Sequence, residues 1–389
     1  MASFSQCGAA ASVTRCSASR PSSHHTPSSV ESSSALTRRA ALAVGAAAAL
    51  PLGVRRADAA PPRVELLSLG SLRVAPVGVG TWSWGNKLLY GYDPRNDEEL
   101  RRCFELLVSN RVGPLLMDTA DSYGTGELEG RSEQLLGSFS SASALGRNAV
   151  LATKLAPYPS RLTASAFVDA GRASARRLQR TQLDVVQAHW SPSYLPLQEA
   201  ALINGLADLY QQELCRCVGV SNYGPKGLRR VHAQLASRGV PLASCQVQFS
   251  LLSRGPETNG LLETCAELGV RLLAYSPLSL GLLTGRYDEQ HLPDGLRGLL
   301  FRSQAKQVGA LLGTLREVAA SRQVSPSQVA VNWCRAKGTL PIPGVHTVAQ
   351  AADALACMEW QLSGAEVAAL DAAAALCSVT AAQNIFSVE

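Results

Sequence analysis

Residues 150–190, VLATKLAPYPSRLTASAFVDAGRASARRLQRTQLDVVQAHW, contain one complete strand–helix–strand unit. The segment opens with the apolar run Val150–Leu155 and closes with the apolar run Leu183–Trp190. Between them, Ala166–Leu178 places apolar residues at helical spacing, which predicts an amphipathic helix. Short apolar runs that alternate with helices are typical of parallel strands joined by crossovers. This stretch therefore predicts an α/β fold.

The same unit recurs in both directions along the chain. Strands are predicted at Val77–Trp82, Leu115–Ala120, Val150–Leu155, Leu183–Trp190, Cys217–Asn222, Cys245–Phe249, Arg271–Pro277 and Leu340–Pro343. Helices are predicted at Asp97–Val108, Glu129–Leu136, Ala166–Leu178, Leu228–Leu235, Leu262–Leu268, Gln304–Ala320 and Ser327–Arg335. Eight strands that alternate with helices over about 320 residues predict a (β/α)8 TIM barrel.

A hairpin pattern precedes the first strand of the predicted barrel. Val64–Leu69 and Leu72–Ala75 flank Gly70-Ser71, which predicts an N-terminal β-hairpin at the barrel bottom. An open, doubly wound sheet is the alternative fold. A dinucleotide-binding sheet of that kind would carry a Gly-x-Gly-x-x-Gly motif after its first strand, and the sequence has none there. We therefore expect the barrel.

Composition and charge exclude several classes of protein. The 389 residues are 46% apolar and 17% charged, with a formal net charge of +6. Residues 1–60 hold six arginines, no lysine and two acidic residues, which is +4 of that charge and leaves +2 for the rest. A nearly neutral domain lacks the basic surface that nucleic acid binding requires.

The ten cysteines do not form a metal-binding pattern. Two lie in the N-terminal tail, the other eight are scattered over residues 103–377, and no Cys-x-x-Cys pair occurs. Structural zinc sites use closely spaced pairs of cysteine or histidine. We therefore expect no metal, and we expect the scattered thiols to be buried packing groups.

Residues 1–60 have the composition of a targeting segment. Residues 1–36 are rich in serine and have Glu31 as their single acidic residue, as in an organellar transit peptide. Arg38-Arg39, an uncharged run over residues 40–54 and Ala57-Asp58-Ala59 follow, as in a twin-arginine, thylakoid-type signal. The apolar run is too short to span a bilayer, so we expect no stable membrane insertion.

The tail therefore predicts two regions and a destination. We expect a disordered transit peptide with a thylakoid-type signal over residues 1–60 and one catalytic domain over residues 61–389. The location is then the chloroplast, with the thylakoid lumen as the compartment. If the tail is instead one long transit peptide, the compartment is the stroma.

Four polar residues follow three consecutive predicted strands. Asp118 and Tyr123 follow the second, Lys154 ends the third and His189 ends the fourth. Barrel enzymes build their sites from these positions. A phenol is a weak acid at neutral pH, and a buried ammonium beside it would lower its pKa. We expect Tyr123 to be a general acid, Lys154 to tune it, Asp118 to hold Lys154, and His189 to orient a carbonyl oxygen.

These residues and their surroundings resemble the aldo-keto reductase family, most of all plastid members from plants and algae. The resemblance spans roughly residues 63–375. It rests on Asp118-Thr119-Ala120 with Tyr123, Ala152-Thr153-Lys154, His189-Trp190, Val218–Asn222, Gln246, Ala274–Leu278, Gly281–Arg286 and Gly80–Gly85. The family's four catalytic positions match Asp118, Tyr123, Lys154 and His189. The resemblance also implies a (β/α)8 barrel and a nicotinamide cofactor.

The resemblance assigns a set of cofactor-binding residues. It implies that Ser221, Asn222 and Gln246 hold the nicotinamide carboxamide and that Tyr275 stacks on its ring. The remaining implied contacts are Ser276, Pro277, Leu278, Gly285, Arg286, Gly344, His346, Thr347, Gln350 and Asp353. His346 stands where members that use NADPH commonly have Lys or Arg. We therefore expect NADPH rather than NADH, with a weakened preference between them.

The expected activity is the reversible NAD(P)H-dependent reduction of aldehydes or ketones to alcohols by a monomer. Hydride goes from nicotinamide to the carbonyl carbon and a proton goes from Tyr123 to the oxygen. The alternative is a redox-sensing subunit on the same fold that turns over slowly. The partner is a small carbonyl compound, and Trp82, Trp84 and Trp190 suggest an aromatic mouth for it, with packing in the core as the alternative.

Overall fold

The computed structural model describes residues 64–377 except Ser193, Glu289, Asp294, Ser303 and Ala305. The predictions for residues 1–60, including the targeting signals, lie outside the described residues, and so does the C-terminal segment 378–389. The described chain has ten strands and thirteen helices besides short 3-10 turns. The strands are β1 Leu67–Leu69, β2 Leu72–Val74, β3 Val79–Gly80, β4 Leu115–Asp118, β5 Ala149–Leu155, β6 Leu183–Ala188, β7 Cys215–Ser221, β8 Leu242–Gln248, β9 Arg271–Tyr275 and β10 Leu340–Ile342.

Helices connect the strands and continue after β10. They are α1 Lys87–Tyr90, α2 Asp97–Val108, α3 Arg131–Ala142, α4 Ala164–Arg177, α5 Pro196–Gln211, α6 Pro225–Ala236, α7 Gly255–Thr258, α8 Leu261–Glu267, α9 Gly295–Arg302, α10 Gly309–Arg322, α11 Pro326–Ala336, α12 Val348–Ala356 and α13 Gly364–Ala375. The predicted helix α2 has the observed bounds. Helix α10 begins five residues later than predicted, because residues 304 and 306–308 form turns instead.

Strands β3 to β10 form a parallel barrel in which each strand pairs with the next along the chain. The ring closes between its first and last strands: Gly78 N donates to Pro341 O at 2.9 Å, and Gly80 N donates to Pro343 O at 2.9 Å. A side chain at Gly78 would lie 2.9 Å from both Ile342 Cγ2 and Leu116 O, so the seam requires glycine there. The predicted (β/α)8 barrel is confirmed.

The N-terminal hairpin covers the bottom of the barrel, as predicted. Strands β1 and β2 pair antiparallel, and Gly70 takes a positive φ of 57° in the turn between them. Side chains from the hairpin pack with the interior of the barrel in one buried cluster. The buried residues of this cluster are Leu69, Leu72, Val74, Leu116, Val150, Ala152, Val185, Cys217, Ala243, Leu273, Leu340 and Ile342. The bottom is therefore filled, and a ligand has to enter at the other end.

Strand β3 is shorter than predicted. Its run was expected to reach Trp82, but the chain leaves the sheet after Gly80. Thr81 N donates to Asp118 O at 2.9 Å, and Trp84 N then donates to Thr81 O in a turn. Trp84 is completely buried and its Nε1 donates to Val345 O at 2.7 Å, so it belongs to the core and does not line the mouth as expected.

The cysteines of the described region are packing groups. Cys103, Cys215, Cys217, Cys245, Cys265, Cys334 and Cys357 are buried and Cys377 is half-buried, all as free thiols. Burial raises the pKa of Cys103 and of Cys215 to about 12. Over the same described residues, no helix is both long and apolar enough to cross a membrane.

Candidate active site

The ends of strands β4 and β5 bring a carboxylate and an ammonium into direct contact. Lys154 Nζ lies 2.5 Å from Asp118 Oδ2 and donates to Thr119 O at 2.8 Å. The two side chains are almost completely buried, at 1% and 3% exposure. The ring of Tyr123 covers the ammonium, with its centroid 4.8 Å from Nζ. Three of the four predicted catalytic residues therefore form one cluster.

His189, the fourth predicted catalytic residue, follows β6 and faces the phenol. Its ring centroid lies 5.7 Å from that of Tyr123, edge to face. Burial, with the charge of Lys154 in addition, holds the pKa of His189 well below its usual value, so the imidazole is neutral at physiological pH. Ser122 Oγ lies 3.2 Å from Nδ1 and can fix the tautomer.

The electrostatics of Tyr123 differ from the expectation that Lys154 lowers its pKa. Burial raises the pKa of Tyr123 well above its usual value, and the negative charge of Asp118 raises it further. The ammonium of Lys154 contacts Asp118 at 2.5 Å, so the pair presents little net positive charge to the phenol. Burial also lowers the pKa of Lys154. Tyr123 therefore keeps its proton at neutral pH.

Two glutamine amides hold the second oxygen of Asp118. Gln246 Nε2 donates to Oδ1 at 2.7 Å and Gln187 Nε2 donates to it at 3.4 Å. Ser244 Oγ in turn donates to Gln187 Oε1 at 3.3 Å. Gln187 is not among the predicted site residues, and Gln246 was predicted to act toward the cofactor alone. The parallel register, which places Gln187 opposite Lys154, is the pattern that could have identified it.

The predicted nicotinamide residues lie together at the ends of β7, β8 and β9. Tyr275 OH donates to Asn222 Oδ1 at 2.9 Å, while Asn222 Nδ2 donates to His189 O at 3.1 Å and to Ser221 Oγ at 3.2 Å. Amide and hydroxyl groups offer the donors and acceptors that a carboxamide needs, and a phenol face suits a flat ring. The residues present therefore fit a nicotinamide.

Two of these positions have backbone conformations that favour glycine. Asn222 has φ 63° and Ser276 has φ 51°. Side chains other than glycine are uncommon there and cluster at binding sites. Pro277 and Leu278 lead into the 3-10 turn Ser279–Thr284, which ends at Gly285 with φ 72°, and the side chain of Arg286 is exposed after it.

The loop after β10 brings the remaining predicted cofactor residues to the start of α12. Thr347 caps this helix, and Gln350 Oε1 accepts a hydrogen bond from His346 N at 2.9 Å. Gly344 and His346 are exposed. Asp353 instead faces α11, where its carboxylate accepts from Ser325 Oγ at 2.9 Å and from Gln328 Nε2 at 2.8 Å.

An acidic residue that the sequence analysis did not identify also reaches the start of α12. Glu99 of α2 accepts a hydrogen bond from Val348 N through Oε1 at 2.9 Å. The orphan amides at a helix N-terminus attract anions, and here a carboxylate of the protein already binds one of them. Nothing in the sequence near Glu99 indicates this contact, which depends on how α2 and α12 pack.

Aromatic side chains surround the catalytic cluster on the open side. Trp82 and Tyr90 meet edge to face at 5.6 Å, and Trp190 lies 4.9 Å from the His189 ring. All three aromatic residues are half-buried. Tyr90 is close enough to Tyr123 for its phenol to influence the pKa of Tyr123. The mouth is therefore flat-walled and apolar next to Tyr123.

Comparisons with known proteins agree with this geometry. The model of the Aldo/keto reductase family matches residues 76–375. The chain is 50% identical over 327 residues to the chloroplastic pyridoxal reductase of Arabidopsis thaliana. The aligned region covers 83% of this chain and 89% of that protein. It is 34% identical over 313 residues to an uncharacterized oxidoreductase of Mycobacterium tuberculosis, with 78% and 90% covered.

Solved structures share the architecture. A glycerol dehydrogenase from Gluconobacter oxydans matches with a TM-score of 0.70 at 22% identity, over 84% of this chain and all of that chain. An aldo-keto reductase from Klebsiella pneumoniae in complex with NADPH matches with a TM-score of 0.62 at 24% identity, over 84% and 99%. Together with the match to residues 76–375, the 50% identical relative shows that this chain belongs to the aldo/keto reductase family and is a nicotinamide-dependent oxidoreductase.

Proposed function

We propose that the protein reduces an aldehyde or ketone to the alcohol with NADPH, and that the reaction runs in both directions. When bound, the nicotinamide supplies the hydride that the carbonyl carbon receives. Tyr123 donates its phenolic proton to the carbonyl oxygen and regains a proton from solvent. The observation that carries this proposal is the Lys154–Asp118 pair, at 2.5 Å, beneath the phenol ring.

Each residue of the cluster has a separate task in this proposal. The high pKa of Tyr123 keeps the proton on the phenol until a carbonyl oxygen gains negative charge beside it. Lys154 lies beneath the phenol ring, where its ammonium offsets part of the charge of the phenolate that remains, and Asp118 holds Lys154 in place. His189 is neutral, so one ring nitrogen can donate a hydrogen bond to the carbonyl oxygen without a charge of its own.

We propose that the predicted cofactor residues bind NADPH, with one exception. Ser221, Asn222, Gln246 and Tyr275 are supported by their position beside the catalytic cluster. The other proposed contacts are Ser276, Pro277, Leu278, Gly285, Arg286, Gly344, His346, Thr347 and Gln350. Asp353 is left out because its carboxylate already accepts hydrogen bonds from Ser325 and Gln328.

We propose pyridoxal as the first substrate to test. The 50% identity to a pyridoxal reductase supports this choice. The aromatic walls formed by Trp82, Tyr90 and Trp190 suit a flat, ring-bearing aldehyde next to the proton donor. A small aliphatic aldehyde would leave these apolar surfaces uncovered, so we expect it to be reduced less efficiently.

The test is the steady-state rate at which pyridoxal, benzaldehyde and propanal are reduced. The rate is measured as the loss of NADPH. Tyr123→Phe should lower kcat by about a hundredfold or more because only the transferable proton is lost. Its NADPH affinity, measured by quenching of protein fluorescence, should match that of the unmodified protein. A Phe variant that keeps more than about a hundredth of the activity would exclude Tyr123 as the acid.

We further propose that the chain is imported into chloroplasts. The chloroplastic relative and the composition of residues 1–60 support this destination. Import of the full chain into isolated chloroplasts, followed by sequencing of the mature N-terminus, tests it. A lumen protein should start near Ala60 and should stop in the stroma when Arg38-Arg39 is replaced by Lys-Lys. A mature N-terminus well before Ala60, found in the stroma, would contradict the lumen.

We also propose that the enzyme acts as a monomer. All four proposed catalytic residues come from strands and loops of one chain, so the site needs no second copy. Light scattering of the purified protein should give a mass that corresponds to one chain. A stable dimer at micromolar concentration would contradict this proposal.

A further inference from the structure

The hydrogen bonds between β4 and β5 continue past the end of β4. The first two accept at backbone carbonyls and the next one accepts at a side chain. Thr119 N donates to Ala152 O at 2.8 Å, and Asp121 N donates to Lys154 O at 3.0 Å. The next amide along β5, that of Ala156, instead donates to the side chain of Asp121, at 3.2 Å from Oδ1. The carboxylate thus replaces a backbone acceptor where the chain leaves the sheet.

Arg161 closes this contact from the loop that follows β5. One of its guanidinium nitrogens lies 2.5 Å from Asp121 Oδ2 and 2.7 Å from Ala156 O. The carboxylate is 2% exposed and the guanidinium side chain 19% exposed. A charge this deeply buried needs its partner, because removing either member leaves the other charge unpaired.

Helix α5 and the loop after β4 hold Arg161 in place. Gln198 Nε2 donates to Tyr158 O at 2.8 Å and to Arg161 O at 3.2 Å. The guanidinium lies 4.9 Å from the centroid of the Tyr158 ring, whose hydroxyl donates to Glu129 Oε1 at 2.8 Å. The loops after β4 and β5 are therefore tied together at the rim of the site.

We propose that the Asp121–Arg161 pair is a positioning clamp that places the phenol of Tyr123 over Lys154. Asp121 is two residues before Tyr123, and the chain between them turns, with Tyr123 N donating to Ala120 O at 3.2 Å. Neither clamp residue belongs to the proposed catalytic set. By fixing the start of the turn, the clamp fixes the ring position, 4.8 Å from Lys154 Nζ. The inference rests on the proposed function, because it assigns a rate effect to the position of Tyr123.

A matched pair elsewhere in the barrel wall serves as the control. Glu133 is completely buried and lies 2.6 Å from Arg177 Nε, whose side chain is 27% exposed. Its other oxygen accepts from Thr153 Oγ1. This pair resembles the clamp in burial and chemistry, but its contacts join α3, α4 and the outside of β5. It acts on Asp121 through the charge of Glu133, which Arg177→Met leaves in place, and not through contact with the turn that carries Tyr123.

The experiment compares Arg161→Met, Arg161→Lys and Arg177→Met in the full chain. We expect Arg161→Met to lower kcat roughly tenfold to a hundredfold, because a small displacement of an acid has that effect, while KM and NADPH affinity change by less than about threefold. Arg161→Lys should recover part of the loss, since an ammonium restores the charge beside Asp121 but lacks the planar group that lies over the Tyr158 ring. Arg177→Met should lower the melting temperature with kcat within about threefold of the unmodified protein.

Hydrogen exchange of the peptide spanning residues 119–126 gives a readout that does not depend on turnover. Exchange there should speed up in Arg161→Met and stay unchanged in Arg177→Met. Unchanged exchange in Arg161→Met would overturn the clamp, and so would equal losses of kcat in the two Met variants. If the unmodified protein reduces no carbonyl compound, the proposed function fails, and the exchange comparison alone decides whether the clamp holds the turn.

Discussion

At the scale of single residues, the central feature is a buried ion pair that supports a neutral acid. Lys154 and Asp118 neutralise each other at 2.5 Å, and Tyr123 above them keeps its proton because its surroundings disfavour the phenolate. A proton donor held in this way releases its proton only when a stronger base forms beside it, as a carbonyl oxygen does when it receives hydride. In the proposed mechanism, burial therefore makes Tyr123 selective for the reacting state.

The same ion pair predicts a strong coupling in stability. Lys154→Met alone leaves a buried carboxylate without its counter-charge and should lower the free energy of unfolding by about 3–5 kcal/mol. Adding Asp118→Asn removes the unpaired charge, so the double variant should be more stable than the sum of the two single losses predicts. Urea denaturation of the four proteins measures this coupling. Additive losses would mean that the pair does not interact.

Asp121 predicts a pH dependence of stability that is opposite in sign to that of an ordinary salt-bridged carboxylate. Burial, with Glu133 contributing in the same direction, raises the pKa of Asp121 to about 6 although Arg161 opposes the shift. An unfolded aspartate has a pKa near 3.9, so the folded protein binds this proton more tightly. Between pH 4 and pH 6 the contribution of Asp121 to the free energy of unfolding therefore decreases as the pH rises.

Comparison with Asp121→Asn isolates this contribution. Relative to the Asn variant, the unmodified protein should gain stability when the pH falls from 7 to 4, by an amount on the order of 3 kcal/mol. Urea unfolding of both proteins at pH 4, 5, 6 and 7 measures the difference. A difference that is constant over this range would show that Asp121 titrates at its ordinary pKa.

At the scale of elements, we expect the start of α12 to determine how well the protein distinguishes its two possible cofactors. The family resemblance implies that the 2′-phosphate of NADPH binds in this region, where His346 replaces the usual permanent cation. Glu99 adds a negative charge through its contact with Val348 N. Both features weaken the attraction for a phosphate compared with a helix start that carries a lysine or arginine.

Adding a positive charge at His346, or removing the negative charge of Glu99, should favour NADPH binding. His346→Arg should strengthen NADPH binding by about 1–2 kcal/mol, as expected for one charge-assisted contact, and leave NADH binding unchanged. Glu99→Gln should act in the same direction by removing a repulsive charge. Fluorescence titration of both cofactors with each variant measures the change. Equal gains for NADH and NADPH would show that neither residue lies near the phosphate.

Helices and strands whose apolar residues recur with a clear period were predictable from the sequence. Short elements, and elements in which nearly every residue is apolar, were not. Helix α2, with its sharp apolar face, has the predicted bounds, and the eight barrel strands lie within or close to the predicted runs. Helix α13 reads GAEVAALDAAAA, in which almost every position is apolar, so no face could be distinguished. Strand β3 shortens because the chain turns after Thr81, whose carbonyl accepts a hydrogen bond from Trp84 N.

Site residues were predictable where they follow strands and were missed where packing alone recruits them. Asp118, Lys154 and His189 follow the rule that barrel chemistry lies at strand ends. Gln187, Ser122 and Glu99 have no motif of their own, and they act through contacts with residues far away in the sequence. The predicted direction of the shift in the Tyr123 pKa was wrong. The shift depends on the Asp118–Lys154 distance, which the sequence does not contain.

At the scale of the whole molecule, the barrel separates stability from chemistry. The hairpin and the lower interior fill one end, and the catalytic cluster lies at the other. Leu69 of β1 is completely buried. Leu69→Ala should therefore lower the free energy of unfolding by about 2–5 kcal/mol through the cavity it creates. Well below the melting temperature, kcat should stay the same.

Urea denaturation and steady-state kinetics of Leu69→Ala check this separation in one protein preparation. Gly91→Ala is a suitable comparison, because that exposed glycine ends α1 near the mouth in a left-handed conformation with φ 61°. It should cost less stability than Leu69→Ala. A drop in kcat for Leu69→Ala at low temperature would show that the two ends of the barrel are mechanically linked.

The buried cysteines give this molecule a particular vulnerability to irreversible damage. In the native state seven of the eight thiols of the described region are shielded from solvent. Once the barrel opens, they become accessible nucleophiles that an oxidant can convert to sulfenic and then sulfinic acid, polar groups that no longer fit the core. Each opening event is then a chance to lose the molecule permanently. Its working lifetime in an oxidising environment is governed by how often it unfolds, and not by how stable it is on average.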